Sequence, residues 1–548
     1  MTVTPEQLER LGALSTHERW SDLSRAARRA LAADPEHPEV WSHLATALFY
    51  GDDRRAALDA LEHACALNPD NAWLFRIRSL CLQTLDRLHE SFAIAQIAME
   101  LAPHDAASHI RVSRLAQLTG DAARAHTAAE RARELAPDDW LVWQNLGWNA
   151  SKEHRWSDAC EHYRRALALS PEEAMLHDAL GAALKWLDRR AEAAACYRRA
   201  IACDPRRTAP YTELAQLRFE DGDEDEAFAL LRRACEAAPK SVDVRYTLID
   251  KLLQYDFDAE ALALARATVD AFPKTTNALC VRARCEERVG DLAAAEAACA
   301  RAVELEPGAS YTRIAHAHAL DALGEHDRAI ARAREATATR GGDPSYWSTL
   351  IAVLRHAGRI DDALAVAQDV IASHPNVGFL WGDLARVHLA RGDVAEARRA
   401  ATELLARRPK ILRNWNLAAR IAGLAGDLAQ LRDVERGVRA LPVEKSRFGN
   451  RLLREAAAQC TLFAAIIEER WPDAEVAILA ELDDASRVDE YACTLVCALG
   501  VVWARTGRTD EARGLAGRAP VGRHATRHCG YRDCGDRAAL DRALVATT

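Results

Sequence analysis

Small and apolar side chains recur along the chain with a period of 34 residues. When the first period is counted from Thr4, position 20 is Ala in ten of twelve successive periods, and the exceptions are Leu23 and Ser91. A small side chain at one fixed position allows two helices to pack at a short interaxial distance. The pattern therefore predicts that each period folds as two closely packed α-helices.

Helix-breaking residues follow the same period. Proline stands at position 32 in most periods, at residues 35, 69, 103, 137, 171, 205, 239, 273, 307, 375 and 409. A Gly-Asp pair lies between the two predicted helices in five periods, for example Gly120-Asp121 and Gly392-Asp393. Gly ends a helix in the left-handed conformation, Asp caps the first N–H groups of the next helix, and Pro stops that helix. The sequence thus predicts a repeated order of helix, tight turn, helix and break.

One period carries the full set of markers. Residues 140–173 contain, in order, Trp143, Leu146, Gly147, Ala159, Tyr163, Ala166 and Pro171. This spacing, with W-x2-L-G at its start, resembles the tetratricopeptide repeat (TPR) family. The resemblance covers residues 4–444 as an array of about 13 repeats. It implies an all-α fold, a TPR α-solenoid in which about 13–15 helix-turn-helix repeats stack into a right-handed superhelix.

The pattern is weaker after residue 444. Residues 445–492 have helical composition without the marker set and are interpreted as divergent helical repeats. A TPR-like repeat returns at residues 493–526, and residues 527–548 are predicted to form an Arg-rich capping tail. The apolar helix predicted from Cys493 to Ala504 is a candidate for self-association, because an apolar segment needs a covering partner.

Composition narrows the functional classes. The 548 residues include 81 acidic and 72 basic side chains, which gives a formal net charge of −9. General nucleic-acid binding requires a net basic face, so we expect no nucleic-acid partner. No apolar run reaches the roughly 20 residues that span a bilayer, and the N-terminal residues show no export signal. We therefore expect no membrane insertion, a cytoplasmic location and 14 reduced cysteines.

The resemblance also implies where a ligand binds, because the first helix of each TPR lines a concave groove. Carried onto this chain, it gives a peptide-binding groove of Trp73, Arg76, Arg111, Arg114, Asn145, Trp148, Lys152, Lys185, Trp186, Glu213, Asp243 and Asp250. The basic and aromatic members suit an acidic or C-terminal carboxylate peptide, and the acidic members suit a basic segment of the same ligand. The alternative is that these residues are solvated charges on an exposed face.

These observations favour a non-catalytic scaffold or adaptor that binds a protein or peptide in the groove, with no cofactor. One alternative is an obligate accessory subunit of an enzyme complex. Another is a metal or catalytic site in the C-terminal region. The only candidate ligands there are His524, His528, Cys529 and Cys534, whose spacing H-x3-H-C-x4-C matches no established zinc signature. Solvated residues of an Arg-rich tail are the simpler interpretation of that cluster.

Overall fold

The computed structural model describes residues 3–51, 53–338, 343–441 and 447–484, and beyond them only residues 498–499, 502–503, 505–506, 508 and 511. Within these residues the chain forms 28 α-helices and no β-strand. This confirms the predicted all-α fold of helical pairs. None of the described helices is long and apolar enough to cross a membrane.

The chain divides into two compact units, unit 1 at residues 1–217 and unit 2 at residues 218–548. In unit 1, each helix packs against the next along the chain from α1 to α12. The helices are α1 (Pro5–Thr16), α2 (Trp20–Ala33), α3 (Pro38–Tyr50), α4 (Arg54–Leu67), α5 (Ala72–Thr84), α6 (Leu88–Leu101), α7 (Ala106–Leu118), α8 (Ala122–Leu135), α9 (Trp140–Lys152), α10 (Trp156–Leu169), α11 (Ala174–Trp186) and α12 (Arg190–Cys203). Helix α13 (Ala209–Asp221) contains the boundary between the units.

Unit 2 continues the same helical pairs, and each helix again packs against its successor from α14 to α28. Its helices are α14 (Glu224–Ala237), α15 (Val242–Gln254), α16 (Asp258–Ala271), α17 (Thr276–Val289), α18 (Leu292–Leu305), α19 (Ser310–Ala322), α20 (His326–Thr337), α21 (Pro344–His356), α22 (Ile360–Ser373), α23 (Gly378–Arg391), α24 (Val394–Arg407), α25 (Leu412–Leu424), α26 (Leu428–Arg439), α27 (Arg447–Ile467) and α28 (Trp471–Asp484). Helix α27 has 21 residues, whereas the helices before it have 12–14. The predicted divergent segment therefore contains one pair with a longer first helix.

In twelve of the helical pairs that the structure describes, the turn has a left-handed backbone residue at a fixed position of the repeat. At this position φ is positive at Glu18, Asp86, Gly120, His154, Asp188, Gly222, Asp256, Gly290, Gly324, Gly358, Gly392 and Gly426, and it is also positive at Glu469 between α27 and α28. After Gly120, the Asp121 carboxylate accepts a hydrogen bond of 3.0 Å from the Arg124 amide and caps α8. The Gly-Asp interpretation is thus correct for four of the five pairs, whereas Asp393 makes no side-chain capping bond to α24. Five residues that carry side chains adopt the same conformation at this position at a steric cost.

Small residues bring the two helices of a pair together. The Ala residues at position 20, from Ala57 to Ala397, have no exposed surface. At position 8 of residues 140–173, a methyl group on Gly147 would lie 2.6 Å from Cε1 of the buried Tyr163 ring. Gly147 is therefore required for the close approach of α9 to α10.

A hydrogen bond that the repeat pattern did not predict joins the first helix of several repeats to the segment before it. The Trp143 indole Nε1 donates a 2.7 Å hydrogen bond to the carbonyl oxygen of Pro137, six residues earlier. The same bond joins Trp41 to Pro35, Trp381 to Pro375 and Trp415 to Pro409. The Trp at position 4 of these four repeats thus fixes the segment that separates one repeat from the next.

Candidate functional site

The predicted groove residues of unit 1 lie on the first helices of successive repeats. We call the side formed by α5, α7, α9 and α11 the first-helix surface. It carries Trp73 and Arg76 on α5, Arg111 and Arg114 on α7, Asn145, Trp148 and Lys152 on α9, and Lys185 and Trp186 on α11. Helices α7 and α9 pack side by side. Residues one period apart in sequence are therefore neighbours on this surface.

Arg111 is buried at the base of the surface, with only 7% of its area exposed. Its Nε donates to Ser79 Oγ at 3.0 Å, and its Nη2 donates to the Ser79 carbonyl at 2.9 Å and to Ser91 Oγ at 3.2 Å. Its Nη1 donates to Gln83 Oε1 at 2.5 Å. All four acceptors are uncharged, so these bonds orient the guanidinium without neutralising it.

Arg114 lies one turn further along α7 and is half-buried. Its Nη2 donates to Gln144 Oε1 of α9 at 2.8 Å, whereas its buried Nε has no hydrogen-bond partner. Burial lowers the pKa of Arg111 to about 10, and the neighbouring charge of Arg114 contributes. Burial also lowers the pKa of Arg114. No acidic side chain among the described residues forms an ion pair with either arginine.

Asn145 is fully buried between α7 and α9. Its Nδ2 donates to Ser113 Oγ at 2.9 Å, and Asn149 donates to the same oxygen at 2.8 Å. The Ser113 hydroxyl donates in turn to the carbonyl of Ala125 at 2.9 Å. The Oδ1 atoms of both asparagines are buried without a partner. Asn145 therefore belongs to the contact between repeats and has no solvent-facing side chain.

Two indoles flank the outer part of the surface. Lys152 is exposed, and its Nζ lies 5.6 Å from the centre of the Trp148 ring. Trp186 is 70% exposed and stacks on Trp156 with ring centres 5.3 Å apart and an interplanar angle of 7°. Stacking holds the Trp186 ring in place while its outer face remains open to solvent. Trp73 is also exposed.

Four other predicted groove charges already form ion pairs. Arg76 forms an ion pair of 2.5 Å with Asp105, which also caps α7. Lys185 forms one of 2.7 Å with Glu213. In unit 2, Asp250 pairs with Arg284. Asp243 is exposed at the start of α15. The arrangement thus separates paired charges from the two arginines that lack an acid.

The sequence markers missed the serines that position Arg111. Ser79 Oγ donates to the Ser91 carbonyl at 2.9 Å, and Ser91 Oγ donates to the Ser79 carbonyl at 2.7 Å. Both serines are fully buried. The available signal was Ser91 itself, because it breaks the Ala pattern at position 20.

The predicted metal candidates His524, His528, Cys529 and Cys534 lie outside the described residues. Where the structure does describe the chain, no group of three or more His, Cys, Asp or Glu side chains is arranged to hold a metal ion.

Comparisons with known proteins agree on the type of repeat. Family models described as tetratricopeptide repeat match residues 140–173, 179–242, 259–310, 314–377 and 354–421. Mouse interferon-induced protein with tetratricopeptide repeats 2 is 29% identical over 127 residues, which are 22% of this chain and 26% of that protein. The match thus spans about a quarter of that relative's length.

Solved structures show partial similarity. Yeast Tom70 is 14% identical, with 79% of this chain and 95% of that chain covered and a TM-score of 0.40. A thermophilic TPR protein of Thermus thermophilus is 22% identical, with 33% of this chain and all of that chain covered and a TM-score of 0.31.

Proposed function

Because the chain is a tetratricopeptide repeat protein, we propose that it is a non-catalytic scaffold whose unit 1 binds an acidic segment of a partner protein on the first-helix surface. TPR proteins bind protein partners. In this proposal Arg114 and Lys152 contact the acidic side chains of the partner. Arg111 attracts the same side chains through its charge, from its buried position on α7. The rings of Trp148 and Trp186 supply flat apolar contact. Repeats of this family are generally non-catalytic.

The observation that carries the proposal is the pair of arginines on α7 without an acidic partner. Holding two guanidinium groups away from water without a counter-charge costs free energy. An incoming carboxylate removes that cost and forms charge-assisted hydrogen bonds, which are about twice as strong as neutral ones. Arg76 and Lys185 contribute less, because their acids Asp105 and Glu213 already satisfy them.

A peptide-display selection tests the proposal. Random peptides are selected on the full chain, and the enriched peptides are tested against Arg114→Glu. We expect Asp and Glu to be enriched, and binding to fall at least about tenfold in the variant, since one attractive contact becomes repulsive. Arg131→Glu is the matched control, because this substitution makes the same change in net charge. Arg131 is exposed and lies on α8, the second helix of the same pair, outside the first-helix surface.

The proposal is wrong if the enriched peptides are basic or neutral, or if acidic peptides bind wild type and Arg114→Glu equally. Circular dichroism of both variants controls for folding. Arg111→Glu is a poor first variant, because a carboxylate at this buried position would lose all four hydrogen bonds to neutral acceptors.

A further inference from the structure

The charge balance at Arg111 and Arg114 specifies the anion further. The two residues are three positions apart on α7, so they lie on one face of the helix. The other partly buried Arg and Lys residues of these four helices each pair with one carboxylate; they are Arg76, Arg78 and Lys185. Arg111 and Arg114 share two positive charges and have no carboxylate between them. A ligand that restores neutrality must therefore bring two negative charges to this face of α7.

The two arginines have different capacities for direct contact. Arg111 already uses Nε, Nη1 and Nη2 as donors to Ser79, Gln83 and Ser91. Arg114 donates only from Nη2, to Gln144; its Nε is buried, so Nη1 and the second Nη2 hydrogen are the groups that a ligand can reach. A guanidinium offers five N–H groups in a planar fork. Arg114 therefore supplies the bidentate contact, and Arg111 acts on the same anion through its charge.

Phosphate satisfies this arrangement better than a carboxylate. A carboxylate brings one negative charge and leaves the second arginine uncompensated. A phosphate monoester carries a charge of about −1.5 to −2 at neutral pH and has three strong acceptor oxygens. Charge interactions are stronger in the partly buried environment of α7 than in water. The difference between the two anions is therefore larger here than at an exposed arginine.

We infer that unit 1 recognises a phosphorylated residue of its partner, with the phosphate bound by Arg114 and neutralised jointly by Arg114 and Arg111. This rests on the proposed function and specifies its ligand. A phosphopeptide fits better than a nucleic acid, because nucleic-acid binding uses many basic side chains along a backbone. On this surface Arg76 and Lys185 are paired with acids, and in the described part of the chain Lys152 is the one other basic residue of the predicted groove without an ion pair, which is too few for a nucleic-acid backbone.

The test compares three forms of the same peptides. An array of short peptides is synthesised with serine, glutamate or phosphoserine at the centre, and binding of the full chain is measured at fixed salt. We expect phosphoserine to bind at least about tenfold more tightly than glutamate, because it compensates both arginines. Arg114→Gln should remove this preference, and Arg114→Lys should retain part of it, since lysine keeps the charge but not the fork. Arg131→Gln should bind as wild type does.

Each other outcome rejects the inference. Equal binding of glutamate and phosphoserine peptides, both weakened by Arg114→Gln, would overturn the phosphate assignment and leave acidic-peptide binding in place. Binding of no form of the peptides would overturn both proposals. A 5′-phosphorylated RNA oligomer that binds more tightly than every phosphopeptide, and loses binding in Arg114→Gln, would overturn the assignment to a protein partner.

Discussion

Two helix pairs of unit 1 have different residues at position 8 of the repeat and different contacts across the pair. In α5 and α6, Ser79 and Ser91 exchange hydrogen bonds across the pair, and we call this contact the serine seam. In α9 and α10, Gly147 leaves room for the ring of Tyr163, and we call this contact the tyrosine seam. Ser79 and Gly147 both occupy position 8, two periods apart in sequence.

The two seams have different consequences for the surface above them. The serine seam presents hydroxyl and carbonyl oxygens, which accept hydrogen bonds from the guanidinium of Arg111 in the next repeat. The tyrosine seam fills its space with a ring whose hydroxyl lies 3.3 Å from Ser151 of the same repeat. The backbone pattern of the repeat is thus the same in both. The residue at position 8 and the residue that it contacts across the pair determine whether the seam can form hydrogen bonds to a buried cation.

The largest effect is expected from adding a methyl group to the tyrosine seam. Gly147→Ala places Cβ 2.6 Å from the Tyr163 ring, and a fully packed ring has no space to move into. We expect a loss of about 1–3 kcal/mol in the free energy of unfolding, measured by urea denaturation. Gly12→Ala in α1 is the control, since its methyl group would meet nothing within 4 Å, and it should stabilise by up to about 1 kcal/mol. Equal effects of both changes would show that the contact does not constrain the pair.

A smaller effect is expected when the serine seam loses a hydroxyl. Ser79→Ala leaves the buried Nε of Arg111 without an acceptor, at a cost of about 1–2 kcal/mol in the free energy of unfolding. Ser91→Ala should cost less, because Nη2 of Arg111 retains the Ser79 carbonyl and Ala is the usual residue at position 20. The reverse order of the two losses would contradict the network described for Arg111.

The turns that follow α7 and α9 provide a comparison of backbone strain. Gly120 after α7 has φ of 85°, and His154 after α9 has φ of 58°. His154→Gly should raise the free energy of unfolding by about 1 kcal/mol, and Gly120→Ala should lower it by a similar amount. Thermal melting of both variants measures the two shifts. A destabilised His154→Gly would mean that contacts of the His154 side chain, such as the one with Trp156, outweigh the strain.

The smallest effect is a pH dependence that is expected beside the tyrosine seam and not at the serine seam. Burial lowers the pKa of His162, whose ring lies 5.8 Å from Trp143, below its ordinary value of 6.5. Between the folded pKa and 6.5 the unfolded chain binds the extra proton, so stability rises with pH in this window and falls on acidification. Melting temperatures at about pH 5 and 7 should differ less in His162→Gln than in wild type. The serine seam has no group that titrates in this range, so Ser79→Ala should leave the difference unchanged.

The sequence by itself determined the repeat, the helical pairs and the turns. Each of these depends on local chemistry at a fixed spacing: Ala at position 20, Gly at the left-handed turn and Pro after the second helix. It also placed Arg111, Arg114 and Trp186 on the first helices. A period of 34 residues is enough for this, because residues at the same position of every repeat have the same backbone environment.

Only the tertiary structure decided which of those side chains are available to a ligand. Arg76 and Lys185 are paired with acids that lie 29 and 28 residues further along the chain, and Asn145 is buried against Ser113, 32 residues earlier. Arg111 stays uncompensated because its neighbours from α5 and α6 are serines and a glutamine rather than carboxylates. These contacts join side chains from different helices, and their distances and burial are set by packing. Local sequence patterns therefore place the charges but do not determine their partners.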